Sequence, residues 1–208
     1  MGANTARQSL LSGAMLSAFA LAGSAVLAFT YSHTHDRIQA NERAMLRDQL
    51  HILLPPERHD NDLLNDTVEV TDAAFSATGK PVTVYRARQH GKAVAVIAQV
   101  TAPDGYSGAI DLLVAIDADA RLIGVRVTHH KETPGLGDYI ESERSDWIRI
   151  FENKRLGEPP ALQWKVKKDG GAFDYVAGAT VTPRAIVKAV RKALDYFSAH
   201  REELMAAP

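Results

Sequence analysis

Apolar and polar positions divide the chain into regions of different periodicity. Between Gln8 and His35 there is no Asp, Glu, Lys or Arg. Residues 9–31 of that stretch are long enough to cross a bilayer, which takes roughly 20 residues. Ala14, Ala18 and Ala22 recur at four-residue spacing, a small-residue face that lets another membrane helix approach closely. The pattern predicts a retained transmembrane helix. The alternative is a cleaved signal peptide, with Ala18-Phe19-Ala20 as its small-residue site. Ile38, Met45, Leu46, Leu50, Leu53 and Leu54 then fall near one helical face, and Pro55-Pro56 ends the run. This predicts a stalk helix over 32–56, with an amphipathic helix lying on the membrane as the other reading. A polar loop over 57–66 follows.

Beyond it the period changes to two. The segments 82–88, 93–101, 110–117 and 121–129 are short, β-branched and bounded by turn residues. The connections between them are too short for βαβ crossovers, so the strands should be antiparallel neighbours. Ile123, Val125 and Val127 alternate with Gly124, Arg126 and Thr128, as in a half-buried strand. Residues 110–116 are apolar on both faces, which predicts an interior strand. Asp138 should cap a helix over 139–152 that buries Ile140, Trp147, Ile148 and Phe151. A short strand is expected over 163–167 and a turn at Asp169-Gly170-Gly171. The last helix should run from Pro183 towards Leu204, burying Ile186, Val187, Val190, Leu194 and Phe197. The expected fold class is α+β: an N-terminal transmembrane helix and stalk, then a domain over 57–208 with helices packed on an antiparallel sheet, residues 1–8 being a short tail.

Composition narrows the possible functions. The net charge of -1 supplies no basic field for nucleic acid. With no cysteine, disulfides, thiolate metal sites, cysteine-ligated iron–sulfur clusters and CxxCH haem attachment are excluded. Arg7 on one side of the apolar run faces Arg37, Arg43 and Arg47 on the other, mixed with acids, so the charge pattern leaves orientation open. No GxSxG elbow, P-loop or GxGxxG occurs, so hydrolysis and unaided hydride transfer from NADH find no support.

The candidate chemistry centres on Asp174-Tyr175-Val176-Ala177-Gly178-Ala179-Thr180-Val181-Thr182, followed by Pro183. This reads as a glycine turn before a helix, with Thr182 as cap and Pro183 at the first helical position. Thr180 then lies where backbone N–H groups and the helix dipole favour an anion. Arg184 could add charge there or simply face solvent. In Glu132-Thr133-Pro134-Gly135-Leu136-Gly137, proline and two glycines allow a tight path against which a flat ring could press, with Leu136 as an apolar contact. The plain alternative is a strand-to-helix loop. Tyr106 and Ser107, in the turn after Thr101-Ala102-Pro103, could border the same ligand or serve structure only. Lys168 could place a cation near a ring or be solvated. His129 and His130 would point to opposite faces of a strand, which argues against a shared metal. Trp147 and Trp164 read as core aromatics.

At these residues the chain resembles the FMN-binding subunits of the Rnf and Na⁺-translocating NADH:quinone reductase complexes. Their flavinylation motif runs Asp, two variable residues, Ser or Thr, Gly, Ala, Thr. It matches Asp174, Gly178, Ala179 and Thr180 here, while Ala177 stands where Ser or Thr is usual. The Glu132–Gly137 segment resembles the family's ring-lining loop, and the Thr101–Ile110 segment resembles that of the RnfG (RsxG) proteins. The likeness is strongest in 101–110, 128–138, 145–148 and 164–183. It implies an electron-carrying subunit of a ferredoxin- and NAD-linked, ion-translocating complex in the bacterial inner membrane. FMN would be bound through a phosphoester to Thr180 by a separate flavin transferase using FAD. A single-pass anchor would hold the domain on the periplasmic side, among the other membrane subunits. Two alternatives stay open: a component like the FMN-binding subunit of the Na⁺-translocating NADH:quinone reductase, and a flavin-free tethered assembly module. None of the three needs a catalytic acid, base or metal.

Overall fold

The computed structural model describes residues 2–76 and 79–206. One uninterrupted helix, α1, runs from Gly2 to Leu53, since no proline occurs before Pro55. It is long and apolar enough to cross a membrane. Its large side chains, among them Leu16, Phe19, Leu27 and Phe29, are bare, as a lipid-facing surface requires. Anchor and stalk are thus one element. The chain forms two compact units, Met1–Leu46 and Arg47–Pro208. The last turns of α1 belong to the second. There Leu50, Leu53 and Leu54 are buried, whereas Ile38 and Met45 of the predicted apolar face stay exposed.

The second unit is built on an antiparallel meander in sequential order. Its strands are β1 (Thr67–Val70), β2 (Val82–Gln89), β3 (Lys92–Ala102), β4 (Ile110–Asp117) and β5 (Leu122–His129). β1 emerges only in the structure, paired through Thr67–Tyr85 to Val70–Val82. His90 and Gly91 both take positive φ (52° and 77°) between the paired Gln89 and Lys92. That is a two-residue turn whose twist matches that of the flanking strands. β5 pairs with β4 through irregular register, including a shift between Ala115 and Ile116. Leu122 and Val125 therefore take the core positions, rather than a simple Ile123/Val125 alternation.

One sheet face, carrying Val84, Val96, Ala98, Leu112, Val114 and Ile116, shares its core with helix α2 (Val181–Leu204). The predicted stripe Ile186, Val187, Val190, Leu194 and Phe197 is fully buried there. On the other face Tyr85, Ala87, Ile97, Leu113 and Ala115 are also buried. Leu53 reaches β5 at Gly124, where a Cβ would come within 3.0 Å of its Cδ2. With both faces covered, β4 can be continuously apolar.

Between β5 and α2 the expected helix over 139–152 is absent. Two short 3-10 helices, Asp138–Ile140 and Asp146–Phe151, replace it. Ser145 breaks the run. Its extended backbone lets the hydroxyl accept from the Trp147 N–H (3.1 Å) and donate to the Tyr139 carbonyl (2.6 Å). The predicted buried set Ile140, Trp147, Ile148 and Phe151 is nevertheless buried. The expected strand over 163–167 is likewise a 3-10 turn, Ala161–Gln163, with a single bridge between Val166 and Phe173.

The C-terminal end of α2 is fixed electrostatically. Arg86 and Arg88 of β2, both buried, donate from Nε to the two oxygens of Asp66 (2.6 and 2.5 Å). Arg88 also donates to the Ala206 carbonyl at 2.6 Å, just past the helix. Two guanidinium groups share one carboxylate, and the remaining positive charge meets the negative end of the helix. Burial pushes the Asp66 carboxyl up, but the bonds from Arg88 and Arg86 outweigh it and hold it below its ordinary range. A carboxylate so depressed stabilises the fold above its unfolded value of about 4, and the contribution disappears as pH falls through the lower folded value. Asp66→Asn should therefore lower the thermal midpoint by several degrees at neutral pH. The gap from the parent should narrow steadily in acid, as scanning calorimetry over a pH series would show.

Candidate functional site

Three segments distant in sequence meet at the N-terminal end of α2, and one side chain joins them. Glu132 is 5% exposed. Its Oε1 accepts from the Ser107 N–H at 3.1 Å, in the loop between β3 and β4. Its Oε2 accepts from the Thr182 hydroxyl at 2.6 Å, in the first turn of α2. Thr182 is therefore not the cap. The helix begins at Val181, with Thr180 flanking it and Pro183 in its first turn, where a missing N–H leaves no bond unmade. The buried carboxylate lies at the positive end of the helix dipole.

Each segment folds as its residues dictate. In the β3–β4 loop a Cβ on Gly105 would lie 2.2 Å from the Gly108 carbonyl oxygen, so only glycine fits. Tyr106 stands 72% exposed at the loop surface. After β5, Pro134 and Gly135 (φ 77°) form the middle of a turn closed by Leu136 N–H to Thr133 O at 3.1 Å. Proline then glycine with positive φ is the type II signature. Gly135 N–H donates to Asp138 Oδ1 at 2.9 Å, so Asp138 ties down this turn instead of capping a long helix. Leu136 projects, 58% exposed, from its tip. Gly137 wraps Glu132 so closely that a Cβ there would approach Oε2 to 2.8 Å. His130 accepts the Glu132 N–H on Nδ1 (3.0 Å), so its proton is on Nε2, 2.7 Å from Glu141 Oε1. Both ring nitrogens are engaged, while His129 lies exposed; among the described residues no group of metal-binding side chains forms.

The segment before α2 makes a second turn of the same kind. Ala179 N–H donates to Val176 O at 3.1 Å, with Gly178 at φ 92°. Two aromatic side chains support it. Trp147 Nε1 donates to Asp174 O at 2.8 Å, and the Tyr139 hydroxyl donates to Ala179 O at 3.3 Å. Burial, opposed by the Val176 backbone and reinforced by the Glu132 charge, pushes the Tyr139 phenol up to about 12. It stays a protonated donor at any physiological pH. The Asp174 carboxylate pairs with Lys167 at 2.5 Å and remains well exposed.

Thr180 is 8% exposed, and its hydroxyl caps nothing. Its backbone is already helical (φ -81°, ψ -24°), whereas a capping residue is normally extended. The hydroxyl has no partner among the described residues, yet it is not sealed: the only buried unpaired side-chain atom there is His59 Nε2. The N–H groups of Thr180, Val181 and Thr182 likewise donate to no acceptor among the described residues. Arg184 is occupied by Asp169 through two bonds of 2.6 and 2.5 Å. Lys168 is exposed and, among the described residues, forms no ion pair with these segments.

The sequence matches the family model described as FMN-binding domain over residues 105–195, which contains all three segments. It matches the one described as RnfG N-terminal region over residues 1–53. The G component of the ion-translocating oxidoreductase complex of Pseudomonas aeruginosa (strain UCBPP-PA14) is 50% identical over 206 residues, 99% of this chain and 96% of that protein. The corresponding protein of Pseudoalteromonas atlantica is 44% identical over 195 residues, covering 94% and 91%. That of Vibrio vulnificus is 41% identical over 196 residues, covering 94% and 92%. The chain belongs to the RnfG family.

The residues present fit the flavin mononucleotide that the domain description names. Gly135 and Gly178 have open space where a Cβ would stand. Leu136, Tyr106, Val176 and Val181 offer exposed apolar surface on the linked segments. Thr180 combines a free hydroxyl with neighbouring free N–H groups, a setting suited to phosphate. Sequence pattern alone does not pick out Tyr139 and Trp147 as supports of this turn. Their buried polar tips, each needing an acceptor, were the available signal.

Glu132→Ala should leave the Ser107 N–H and the Thr182 hydroxyl unpaired, at about 1–3 kcal/mol each. Glu132→Gln can bond both, through its oxygen and its amide nitrogen, and should lose only the charge term of about 0.3–1 kcal/mol. Thermal unfolding with amide exchange at Ser107 checks this: equal losses in the two variants would contradict the role given to the hydrogen bonds.

Proposed function

We propose that this chain is the electron-carrying subunit of a membrane-bound, ion-translocating oxidoreductase complex linked to ferredoxin and NAD, with FMN bonded through its phosphate to Thr180 Oγ1. The observation that carries the attachment site is the unpaired, unsealed Thr180 hydroxyl between a glycine turn and three free N–H groups. Thr182, the competing hydroxyl, is committed to Glu132. Family membership supports the role in the complex and the presence of the other subunits as neighbours.

When bound, FMN supplies the redox chemistry, accepting and releasing electrons one at a time. The protein's own part is binding and orientation. The turns at Thr133–Leu136 and Val176–Ala179 would border the ring, with Leu136 and Tyr106 as apolar contacts. Asp174, exposed beside the turn, is open to inspection by a flavin transferase. With FAD as donor, the Thr180 oxygen–phosphorus bond would form as the pyrophosphate bond breaks, AMP leaving together with the proton lost by the hydroxyl. The apolar helix α1 anchors the chain, and the FMN domain faces the periplasm in this reading.

Expressed with a flavin transferase, the denatured chain should show in-gel flavin fluorescence. Thr180→Val should abolish it. Thr182→Val should keep it while losing about 1 kcal/mol of stability with the Glu132 bond; fluorescence lost only in Thr182→Val would move the attachment site. On sealed, right-side-out membranes, added protease should digest the domain; protection would overturn the periplasmic placement.

A further inference from the structure

The outer side of α2 carries a groove of about 420 Å³ between the helix and the Trp164–Val166 segment. Its floor is apolar: Trp164, Val166 and Val187 line it with buried side chains. Its walls are cationic. Lys165, Arg184, Lys188, Arg191 and Lys192 line it against only Asp169 and Asp195. In a chain of net charge -1 this is a local concentration of positive charge, not a reflection of overall composition.

Three of the five cations are already used. Arg184 holds Asp169, Lys188 holds Asp104 at 2.5 Å, and Arg191 bonds the Ala161 carbonyl at 2.5 Å and faces Asp195 at 3.5 Å. Lys165 and Lys192 form no ion pair among the described residues, and both are exposed. Beside the Ala161 contact, Leu162 stands 83% exposed. Scattered surface lysines are ordinarily solvated and mean little. Here two cations with no ion pair among the described residues flank an apolar floor with a bare leucine next to it. That arrangement complements carboxylates spaced around an apolar side chain.

We propose that this groove seats an acidic segment of a neighbouring protein subunit, its carboxylates on Lys165 and Lys192 and an apolar side chain on the floor. The proposal rests on the reading of the chain as one member of a redox complex. Arg184 lies in the first turn of α2, four residues after the flanking Thr180, about 6 Å along the helix axis. The seated segment would therefore hold the partner beside the turn proposed to carry the flavin.

The test uses the full-length chain expressed in membranes with the remaining subunits and a flavin transferase. Lys165→Glu/Lys192→Glu should leave in-gel flavin fluorescence and the thermal midpoint unchanged. Recovery of the other subunits on purification should fall roughly tenfold or more, since like charges are then juxtaposed. Lys92→Glu, on the exposed β2–β3 hairpin, should not reduce recovery. A photo-cross-linking residue in place of Leu162 should couple to an Asp- or Glu-containing segment of another protein of the complex, and the coupling should vanish in the double variant. Unchanged recovery at every salt concentration, or no such cross-link, overturns the proposal. Loss of fluorescence with recovery intact also overturns it and assigns the groove to flavin attachment. Absence of fluorescence in the parent chain would sink the attachment reading alone, because recovery and cross-linking are scored without it.

Discussion

A buried carboxylate sets the terms for the whole site. Glu132 must be stripped of water to sit where it does, and an ionised group is tolerated there only if its oxygens are bonded. Its two acceptors draw a hydroxyl from α2 and an N–H from the β3–β4 loop onto one side chain. Gly137 packs so closely against it that any side chain there would collide with the carboxylate. The loops that carry Tyr106 and Leu136 and the turn that carries Thr180 are therefore not independent surface features. They are held in one arrangement by bonds to, or next to, a single group.

The same helix is secured at its far end by the opposite charge. Arg88 delivers a guanidinium to the Ala206 carbonyl while Asp66 offsets part of the pair's charge. A helix with an anion at its positive end and cations at its negative end is favoured by its own dipole at both termini. Its apolar stripe fixes which face meets the sheet, and the two polar clamps fix where along the sheet it stops. The position of Thr180 follows from both.

What could be read from the sequence was whatever short-range pattern controls. The four strand segments between 82 and 129, the α2 stripe and the buried set Ile140, Trp147, Ile148 and Phe151 follow from periodicity and apolar content, and the structure has them. The failures lie where a tertiary partner overrode a local preference. Thr182-Pro183 has the form of a cap followed by a first helical residue, but the hydroxyl belongs to a glutamate fifty residues away in sequence. Asp138 has the form of a helix cap and instead fastens a turn on its own N-terminal side. Residues 139–152 carry a helical apolar period, yet Ser145 takes both a carbonyl and an N–H out of any longer helix. β1 is four residues long, too short for alternation to announce it. Recognising Asp174, Gly178 and Thr180 as a set needed likeness to known sequences; for Tyr139 and Trp147, which support that turn, the one signal was a polar tip in need of an acceptor, with no spacing to say where it lay.

The carboxylate at the start of α2 also bears on how a phosphate could stay there. A helix N-terminus ordinarily attracts an anion with its own partial charge. Here that charge is already shared with Glu132, and the guanidinium one turn along the helix, Arg184, is spent on Asp169. A doubly charged phosphate arriving at Thr180 finds donors but little net attraction. Such a site can orient an anion through its free donors while the Glu132 charge opposes the helix end. The bond proposed for the Thr180 hydroxyl would supply residence that does not depend on charge.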